Sequence, residues 1–163
     1  MLIRPAIDAD RAAIAALHIR SWSCSYRGML PDAYLDGPMA ADLHAKWTKR
    51  RFSTALWAWV AEDNGSLRGF VCIEGGRPAL IDNVHVDPDH RSKGLGLRLM
   101  NTAIEDACAR GHGHLYLAVL SANTRAKAFY TRMGGRVIAE QEDEVFGQPV
   151  RSFRIEWGGP SNA

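Results

Sequence analysis

The feature that most constrains the fold is a strand that leads through a basic, glycine-bearing loop into an amphipathic helix. Leu80–Val86 is predicted to be the strand, and Asp87 and Pro88 end it. The helix after the loop places apolar side chains on one face, namely Leu97, Met100, Ile104, Ala107 and Cys108. It stops at Gly111, and the apolar residues Leu115–Leu120 are predicted to form the next strand. Strand, loop, helix and strand in this order indicate a βαβ crossover with parallel strands.

Further strands and helices flank this crossover. Leu2–Pro5 is predicted as a short first strand, and Asp8 or Asp10 caps a helix that runs to about Tyr26. The remaining elements are predicted, in chain order, as a helix over 39–51, strands over Leu56–Ala61 and Leu67–Ile73, a helix over Asn123–Met133, and strands over Arg136–Glu140 and Val150–Trp157. Between the first two of those strands, the Asn-Gly pair at 64–65 is a strong hairpin signal, because both residues tolerate positive φ.

These elements predict one domain of the α/β (α+β) class. The chain of 163 residues is within the usual range for a single domain and can bury a sizeable core. The order of elements indicates a mixed, mostly antiparallel sheet of about seven strands with helices on both faces. Residues 1–157 make up this domain, and 158–163 are expected to form a disordered tail.

Charge and cysteine content narrow the class of protein. The net charge is +2, from 20 Lys and Arg against 18 Asp and Glu, which is too small to indicate binding to nucleic acid or to a membrane surface. The three cysteines, Cys24, Cys72 and Cys108, are far apart and form no Cys-x-x-Cys pair, so we expect reduced thiols and no metal site. No signal peptide or membrane span is recognisable, and we expect a cytoplasmic protein.

The loop before the central helix has the properties of a phosphate site. The N–H groups at a helix start are unsatisfied within the helix, and the helix dipole adds partial positive charge there. Gly94 and Gly96 remove Cβ atoms, so an anion can approach the main chain, and Arg91 and Lys93 add charge. A solvated basic loop that only caps the helix is the alternative. Two other phosphate motifs are excluded, because no Gly-x-x-x-x-Gly-Lys-Ser/Thr is present and Leu99 replaces the third glycine of a dinucleotide fingerprint.

A second candidate pair lies on the later helix. Asn123 and Tyr130 are seven positions apart, so they project from nearly one helix face, about 10 Å apart along the axis. The alternative is that Tyr130 is an ordinary core residue and Asn123 only a helix cap.

Together, the two segments resemble the core of the GNAT superfamily of N-acetyltransferases, over Leu80–Gly135. Arg91-x-x-Gly94-x-Gly96 is similar to the pyrophosphate loop of that family, and the helix from Asn123 through Phe129 and Tyr130 is similar to its later helix. A weaker likeness extends outward: residues 3–6 resemble the first strand of the family, and residues 21–31 resemble a segment of many uncharacterised members.

The resemblance implies that the protein binds acetyl-CoA, with no metal. Its pyrophosphate would lie on the main chain of Arg91, Ser92, Lys93, Gly94, Leu95 and Gly96. The pantetheine arm would run beside Val84, His85 and Val86 like an added strand, and the N–H of His85 or Val86 would stabilise the oxyanion. Tyr130 would protonate the leaving thiolate, and Asn123 would hold the CoA or a water molecule.

Asp82 is the candidate general base, because its strand parity predicts that it faces the same side as Val84 and Val86. An exposed or ion-paired strand carboxylate is the alternative. Other members of the family use a glutamate on the later strand, where this chain has Ala118. That departure favours a base acting through water, and His85 and His90 are less favoured candidates.

The expected reaction is direct attack of a primary amine on acetyl-CoA in a ternary complex. In the family the acceptor surface comes from the N-terminal helices, and the residues that fall there are Trp22, Tyr26, Tyr34, Trp47, Asp32 and Asp36. A small molecule or a peptide would serve as acceptor, and a homodimer is compatible with the family. The alternatives are a non-catalytic acyl-CoA sensor on the same fold, which the presence of Tyr130 disfavours, and a nucleotide-binding protein.

Overall fold

The computed structural model of the chain describes residues 1–91 and 93–159, which form one seven-stranded sheet and five α-helices. The helices are α1 (Arg11–Ser25), α2 (Asp32–Leu35), α3 (Met39–Lys49), α4 (Leu95–Ala109) and α5 (Thr124–Arg132). The strands are β1 (Leu2–Pro5), β2 (Leu56–Asp63), β3 (Ser66–Glu74), β4 (Ala79–Val86), β5 (Leu115–Leu120), β6 (Arg136–Val145) and β7 (Gln148–Trp157). Short 3-10 turns lie at Asp8–Asp10 and Pro88–His90.

The sheet is split between its two central strands. The strand order is β1-β2-β3-β4-β5-β7-β6, and only β4 and β5 pair in parallel. Their pairing is confined to Ala79 with Leu115 and Leu80 with Tyr116, after which the two strands diverge. The predicted mixed, mostly antiparallel sheet is confirmed, and the divergence opens a cleft beyond the second pair.

Helices cover both faces of the sheet, as predicted. On one face α4 buries Leu95, Leu99, Met100, Ala103 and Ala107 against the strands, and Phe129 and Tyr130 of α5 pack beside them. On the other face Ile14 and Leu17 of α1 and Trp47 of α3 pack on Val60 and Phe70. Apolar burial on both sides therefore fixes β2, β3 and β4 in the middle of the domain.

The buried face of α4 agrees with the predicted one at Met100, Ile104 and Ala107 and differs from it at two positions. Leu97 is 44% exposed and Cys108 is also exposed, whereas the buried positions repeat every fourth residue from Leu95. Both sets of positions match the helical period, because apolar residues lie on more than one side of this helix. The buried face is the one that packs against the sheet strands.

The last two strands are longer than predicted. β6 continues past Glu140 and β7 begins before Val150, and a two-residue turn at Phe146 and Gly147 joins them. Both turn residues have positive φ (46° and 79°), the conformation that matches the twist of a tight hairpin. Polar residues dominate β6, and nine of its ten residues are exposed, so the strand shows no alternation of buried and exposed positions. Its pairing with β7 defines it instead.

The tip of this hairpin rests on the N-terminal helices. Val145 and Val150 pack against a buried cluster formed by Trp22, Leu30, Tyr34, Leu35, Met39 and Leu43. α1 ends at Ser25 rather than Tyr26, α3 ends at Lys49, and the short helix α2 was not predicted. In this way, segments that are distant in the sequence come together at the open end of the cleft.

Two further findings concern the described residues. None of their helices has the length and apolar character to span a membrane. Cys24, Cys72 and Cys108 are all free thiols, and Cys72 is buried. Of the predicted disordered tail, residues 160–163 lie outside the described part of the chain.

Candidate active site

A cavity of about 1080 Å³ occupies the cleft between β4 and β5. Its walls come from α1, β4, the basic loop (residues 87–94), the start of α4, β5, α5 and the tip of the β6–β7 hairpin. The two segments that the sequence singled out, the basic loop before α4 and the helix α5, therefore line the same cavity.

The start of α4 has the geometry of an anion site. Gly94 is the N-cap residue, with φ of 76°, a conformation that favours glycine. The first helical hydrogen bond runs from the Arg98 N–H to the Gly94 carbonyl (3.1 Å), so the N–H groups of Leu95, Gly96 and Leu97 precede it. At Gly96 a Cβ would lie 3.6 Å from Phe129, which is an ordinary contact, so a small side chain would fit there.

Asp87 anchors the basic loop, a role that the sequence did not indicate. Its side chain is fully buried and accepts the Asp89 N–H (3.0 Å). The guanidinium groups of Arg20 in α1 and Arg68 in β3 lie 2.5 and 3.3 Å from its oxygens. Burial raises the pKa of Asp87, but the Arg20 contact and the other donors outweigh it, and the net pKa is lowered. The loop is therefore tied to a helix and a strand through one carboxylate.

Arg91 also links the loop to α1. Its guanidinium donates to the Ser25 hydroxyl at 2.5 Å, at the last residue of the helix. Lys93 is exposed, and Ser92 lies outside the described residues. Arg91 and Gly94 to Gly96 line the cavity, so a cation and a helix start meet there.

Asn123 and Tyr130 both line the cavity. Asn123 caps α5, since its side-chain oxygen accepts the Ala126 N–H at 3.2 Å. The Tyr130 ring packs against Phe129 and Trp157, at centroid distances of 5.3 and 6.0 Å. Burial, and to a lesser degree Tyr26, raise the pKa of Tyr130, so its phenol stays protonated. Asn123 is therefore a helix cap and Tyr130 packs on core rings, as the alternative interpretation expected, but both side chains also line the cavity.

Asp82 lies on the other side of β4 from the one its parity predicted. A β-bulge makes it the extra residue, since Cys72 pairs with Asn83 and Ile73 pairs with Ile81. Val84 and Val86 pack on the face of the sheet that α4 covers. Asp82 instead contacts Lys46 of α3 and Arg50, which follows the end of that helix. The bulge reverses the alternation, and the parity argument is therefore wrong.

Three donors converge on one oxygen of Asp82. Oδ2 lies 2.5 Å from the Arg50 guanidinium, 3.2 Å from the Lys46 ammonium and 2.7 Å from the Asn83 amide nitrogen. Burial alone would raise the pKa of Asp82, but the two cations lower it below the usual value. Asp82, Asn83 and Lys46 all line the cavity, which therefore has an ionised carboxylate in its wall.

His85 is half-buried, and both of its ring nitrogens have a hydrogen-bond partner. Its Nδ1 lies 2.9 Å from the Ser21 hydroxyl, and the Trp22 indole N–H donates to its Nε2 at 3.2 Å. Burial, together with Lys46 and Arg91, lowers the pKa of His85 to about 3, so the imidazole is neutral.

The predicted acceptor surface divides into two parts. Trp22 and Tyr26 line the cavity, and with Phe146 of the hairpin turn they form what we call the aromatic wall; Trp22 lies 5.0 and 6.1 Å from the other two rings. Tyr34 and Trp47 are buried, 5% and 1% exposed, and are absent from the cavity lining. Asp32 and Asp36 form ion pairs with Arg27 (3.2 and 2.6 Å), also away from the cavity.

Among the cavity residues that the sequence missed are several from elements far from the motifs, including Met29, Lys46, Asp143 and Glu144. Only the likeness over 21–31 touched one of them. Ala118 lines the cavity on β5. The position at which the resemblance implies a glutamate in other N-acetyltransferases therefore faces the same space. Among the residues of 1–91 and 93–159, no group of three metal-binding side chains is found.

Comparison with known proteins agrees with this geometry. The sequence profile of the acetyltransferase (GNAT) family matches residues 15–135. L-amino acid N-acyltransferase MnaT of Escherichia coli (strain K12) is 28% identical over 151 residues, which cover 89% of this chain and 84% of that protein. The chain belongs to the GNAT family of acetyltransferases, which confirms the enzyme class expected from the sequence.

Solved structures share the fold. The paia N-acetyltransferase from Thermoplasma acidophilum, solved in complex with coenzyme A, has a TM-score of 0.76 at 18% identity, over 98% of this chain and 100% of that one. The yncA protein from Salmonella typhimurium, solved with its cofactor acetyl-CoA, has a TM-score of 0.70 at 22% identity, over 100% and 96% of the two chains. At these identities the likeness establishes the GNAT fold.

Proposed function

We propose that this enzyme transfers the acetyl group of acetyl-CoA to a primary amine by direct attack in a ternary complex. The observation that carries the proposal is that one cavity contains both the open start of α4 and the aromatic wall. Donor and acceptor would then meet without a covalent enzyme intermediate. The proposed setting is the cytoplasm.

The start of α4 fits the pyrophosphate of the donor. The N–H groups of Leu95, Gly96 and Leu97 are unsatisfied within the helix, and the helix dipole favours an anion there. Arg91 and Lys93 add positive charge nearby. Beyond Leu80, the edge of β4 that faces β5 is free of strand pairing, which suits an extended arm that would bind like an added strand.

Tyr130 is proposed as the general acid. The amine nitrogen attacks the thioester carbon, the carbon–sulfur bond breaks, and the thiolate takes up the phenol proton. The phenol is protonated at neutral pH because burial raises its pKa. A nearby N–H of His85 or Val86 would stabilise the oxyanion, and Asn123 would hold the CoA or an ordered water.

Asp82 is proposed to receive the proton of the attacking amine through a water molecule. All three of its donors meet Oδ2, and among the described residues none donates a hydrogen bond to Oδ1. Because its pKa is lowered, the carboxylate is ionised at working pH but is a weak base. We therefore assign it a smaller share of the rate than Tyr130.

The first acceptors to test are L-amino acids, because MnaT, named for that substrate class, matches most of this chain. The experiment is a screen of amino acids, diamines and aminoglycosides with acetyl-CoA, in which the released CoA thiol is measured. We expect turnover with at least one amine and a rise in melting temperature with acetyl-CoA, since the ligand binds only the native state. Binding without turnover of any amine would favour the sensor alternative. Absence of both would contradict the proposed function.

A further inference from the structure

His85 lies where β4 has already left β5, and it joins this strand to α1. Its ring nitrogens meet the side chains of two consecutive α1 residues, Ser21 at 2.9 Å and Trp22 at 3.2 Å. Neighbouring rings restrain the imidazole, with centroids of His18 at 4.4 Å and Phe70 at 5.7 Å. The ring is therefore held on its edges and on its faces.

The two hydrogen bonds define one tautomer. An indole N–H can only donate, so His85 Nε2 must accept from Trp22. The proton of the neutral ring is then on Nδ1, which donates to the Ser21 oxygen. Because both nitrogens are occupied and the pKa is about 3, this imidazole is unsuited to take a proton from an amine.

Trp22 is the central member of the aromatic wall. Its indole is 6% exposed and contacts the rings of Tyr26 and Phe146 on its other sides. The only polar atom of that side chain is the N–H that His85 accepts. Without this acceptor, a buried donor would be left unpaired and the indole would gain by turning to find another partner.

We propose that His85 is a positioning residue, which fixes the Trp22 indole and thereby the aromatic wall against which the acceptor amine binds. The inference rests on the proposed function, since it concerns the acceptor of that reaction. It assigns His85 no contact with the reacting atoms through its side chain.

The test compares two substitutions of His85 by amide side chains of different length. His85→Gln places an amide near the position of Nε2 and can still accept from Trp22. His85→Asn reaches only the position of Nδ1 and loses that bond. His44→Asn, a matched change at an exposed position on α3, is the control. Each variant is assayed with an amine found in the screen, and KM for the amine, KM for acetyl-CoA and kcat are measured separately.

For His85→Asn we expect KM for the amine to rise roughly tenfold, about the value of one hydrogen bond, with kcat and KM for acetyl-CoA within about twofold of wild type. His85→Gln should recover most of that loss, and His44→Asn should match wild type. Trp22→Phe removes the donor itself, and its effect should not add to that of His85→Asn in the double variant.

The inference is overturned if the two amide variants behave alike, or if His85→Asn lowers kcat with no change in KM for the amine. A fully additive double variant also contradicts it. If His85→Asn fails to fold, the comparison of Trp22→Phe with wild type still decides, because an unchanged KM for the amine rejects the role of the wall. Failure of the proposed function would look different, since wild type itself would then show no turnover.

Discussion

The start of α4 and the aromatic wall belong to one cavity but are built differently. The α4 site consists of main-chain N–H groups that follow Gly94 in an unbroken stretch of sequence, and Asp87 holds the loop before it. The wall consists of side chains from α1 and from a hairpin turn far along the chain, positioned by packing and one imidazole. A site made of backbone tolerates change in most nearby side chains, whereas a site made of side chains changes with each of them. Donor binding is therefore expected to be the stable property of this fold and acceptor choice the variable one.

The largest effect is expected at the backbone site. Gly96→Glu should abolish acetyl-CoA binding, a loss of over roughly 100-fold, because a carboxylate would occupy the place of the pyrophosphate. Gly96→Ala is the matched control, since its methyl group would make only an ordinary 3.6 Å contact with Phe129. Isothermal titration with CoA, together with circular dichroism to verify folding, measures both. Normal affinity in a folded Gly96→Glu protein would show that the pyrophosphate binds elsewhere.

Tyr130→Phe tests the role of the phenol in the chemical step separately from its role in donor binding. It removes only the hydroxyl and keeps the packing against Phe129 and Trp157. We expect kcat to fall by roughly 10²–10⁴, the usual contribution of a general acid, with donor affinity unchanged. A loss of only a few-fold would mean that the thiolate leaves unassisted, which is chemically feasible for a thiol of pKa about 8.5.

A smaller loss is expected for Asp82→Asn. The carboxylate is a weak base because Arg50 and Lys46 lower its pKa, so we expect kcat to fall by roughly 10- to 100-fold. Lys46→Met, which removes one cation and leaves Asp82 in place, is the companion variant. It should move the acidic limb of the pH–rate profile to higher pH, because less positive charge then opposes protonation. A profile with an unmoved acidic limb would remove Asp82 from the proton path.

Mild acid is expected to lower the free energy of unfolding through two histidines beside the aromatic wall, His18 and His85. In the folded protein burial lowers the pKa of His18 and His85 below the usual 6.5, so both take up a proton on unfolding. Their contribution to stability is complete above pH 6.5 and is lost as pH falls below it, by about 1.4 kcal/mol per pH unit for each group. Asp82 and Asp87 have lowered pKa values, so they stay ionised in the folded protein over the range in which the two imidazoles take up protons.

Urea unfolding between pH 7 and 4.5 measures this dependence. His85→Gln should bind one proton fewer on unfolding than wild type, whereas His44→Asn should leave the linkage of the buried pair intact. A free energy of unfolding that is flat between pH 6.5 and 5 would contradict the neutral state of both imidazoles.

The difference between the two parts also explains what the sequence could predict. The α4 site depends on local features, namely a strand end, two glycines and a helix start, which are all adjacent in the chain. The crossover and the sheet class were therefore accessible from spacing, and spacing also placed Asn123 and Tyr130 on one helix face. Their place in the cavity was indicated only by the resemblance to the GNAT family.

The remaining features of the site cannot be predicted from residue spacing. The extra residue at the β-bulge reverses the side of β4 on which Asp82 lies, and no residue type at 81–83 is typical of a bulge. The hairpin turn uses Phe146 at positive φ, where a glycine or asparagine would have signalled it. The bond between Trp22 and His85 joins segments 63 positions apart, so only the tertiary structure reveals it.

Helix α1 contacts both parts of the site. Arg20 binds the carboxylate that anchors the basic loop, Trp22 forms the aromatic wall, and Ser25 accepts the bond from Arg91. These three contacts lie within two turns of a single helix, whose rise is fixed at about 1.5 Å per residue. The helix therefore fixes the distance between the basic loop and the aromatic wall. If donor and acceptor bind as proposed, this distance sets the length of the amines that can reach the thioester.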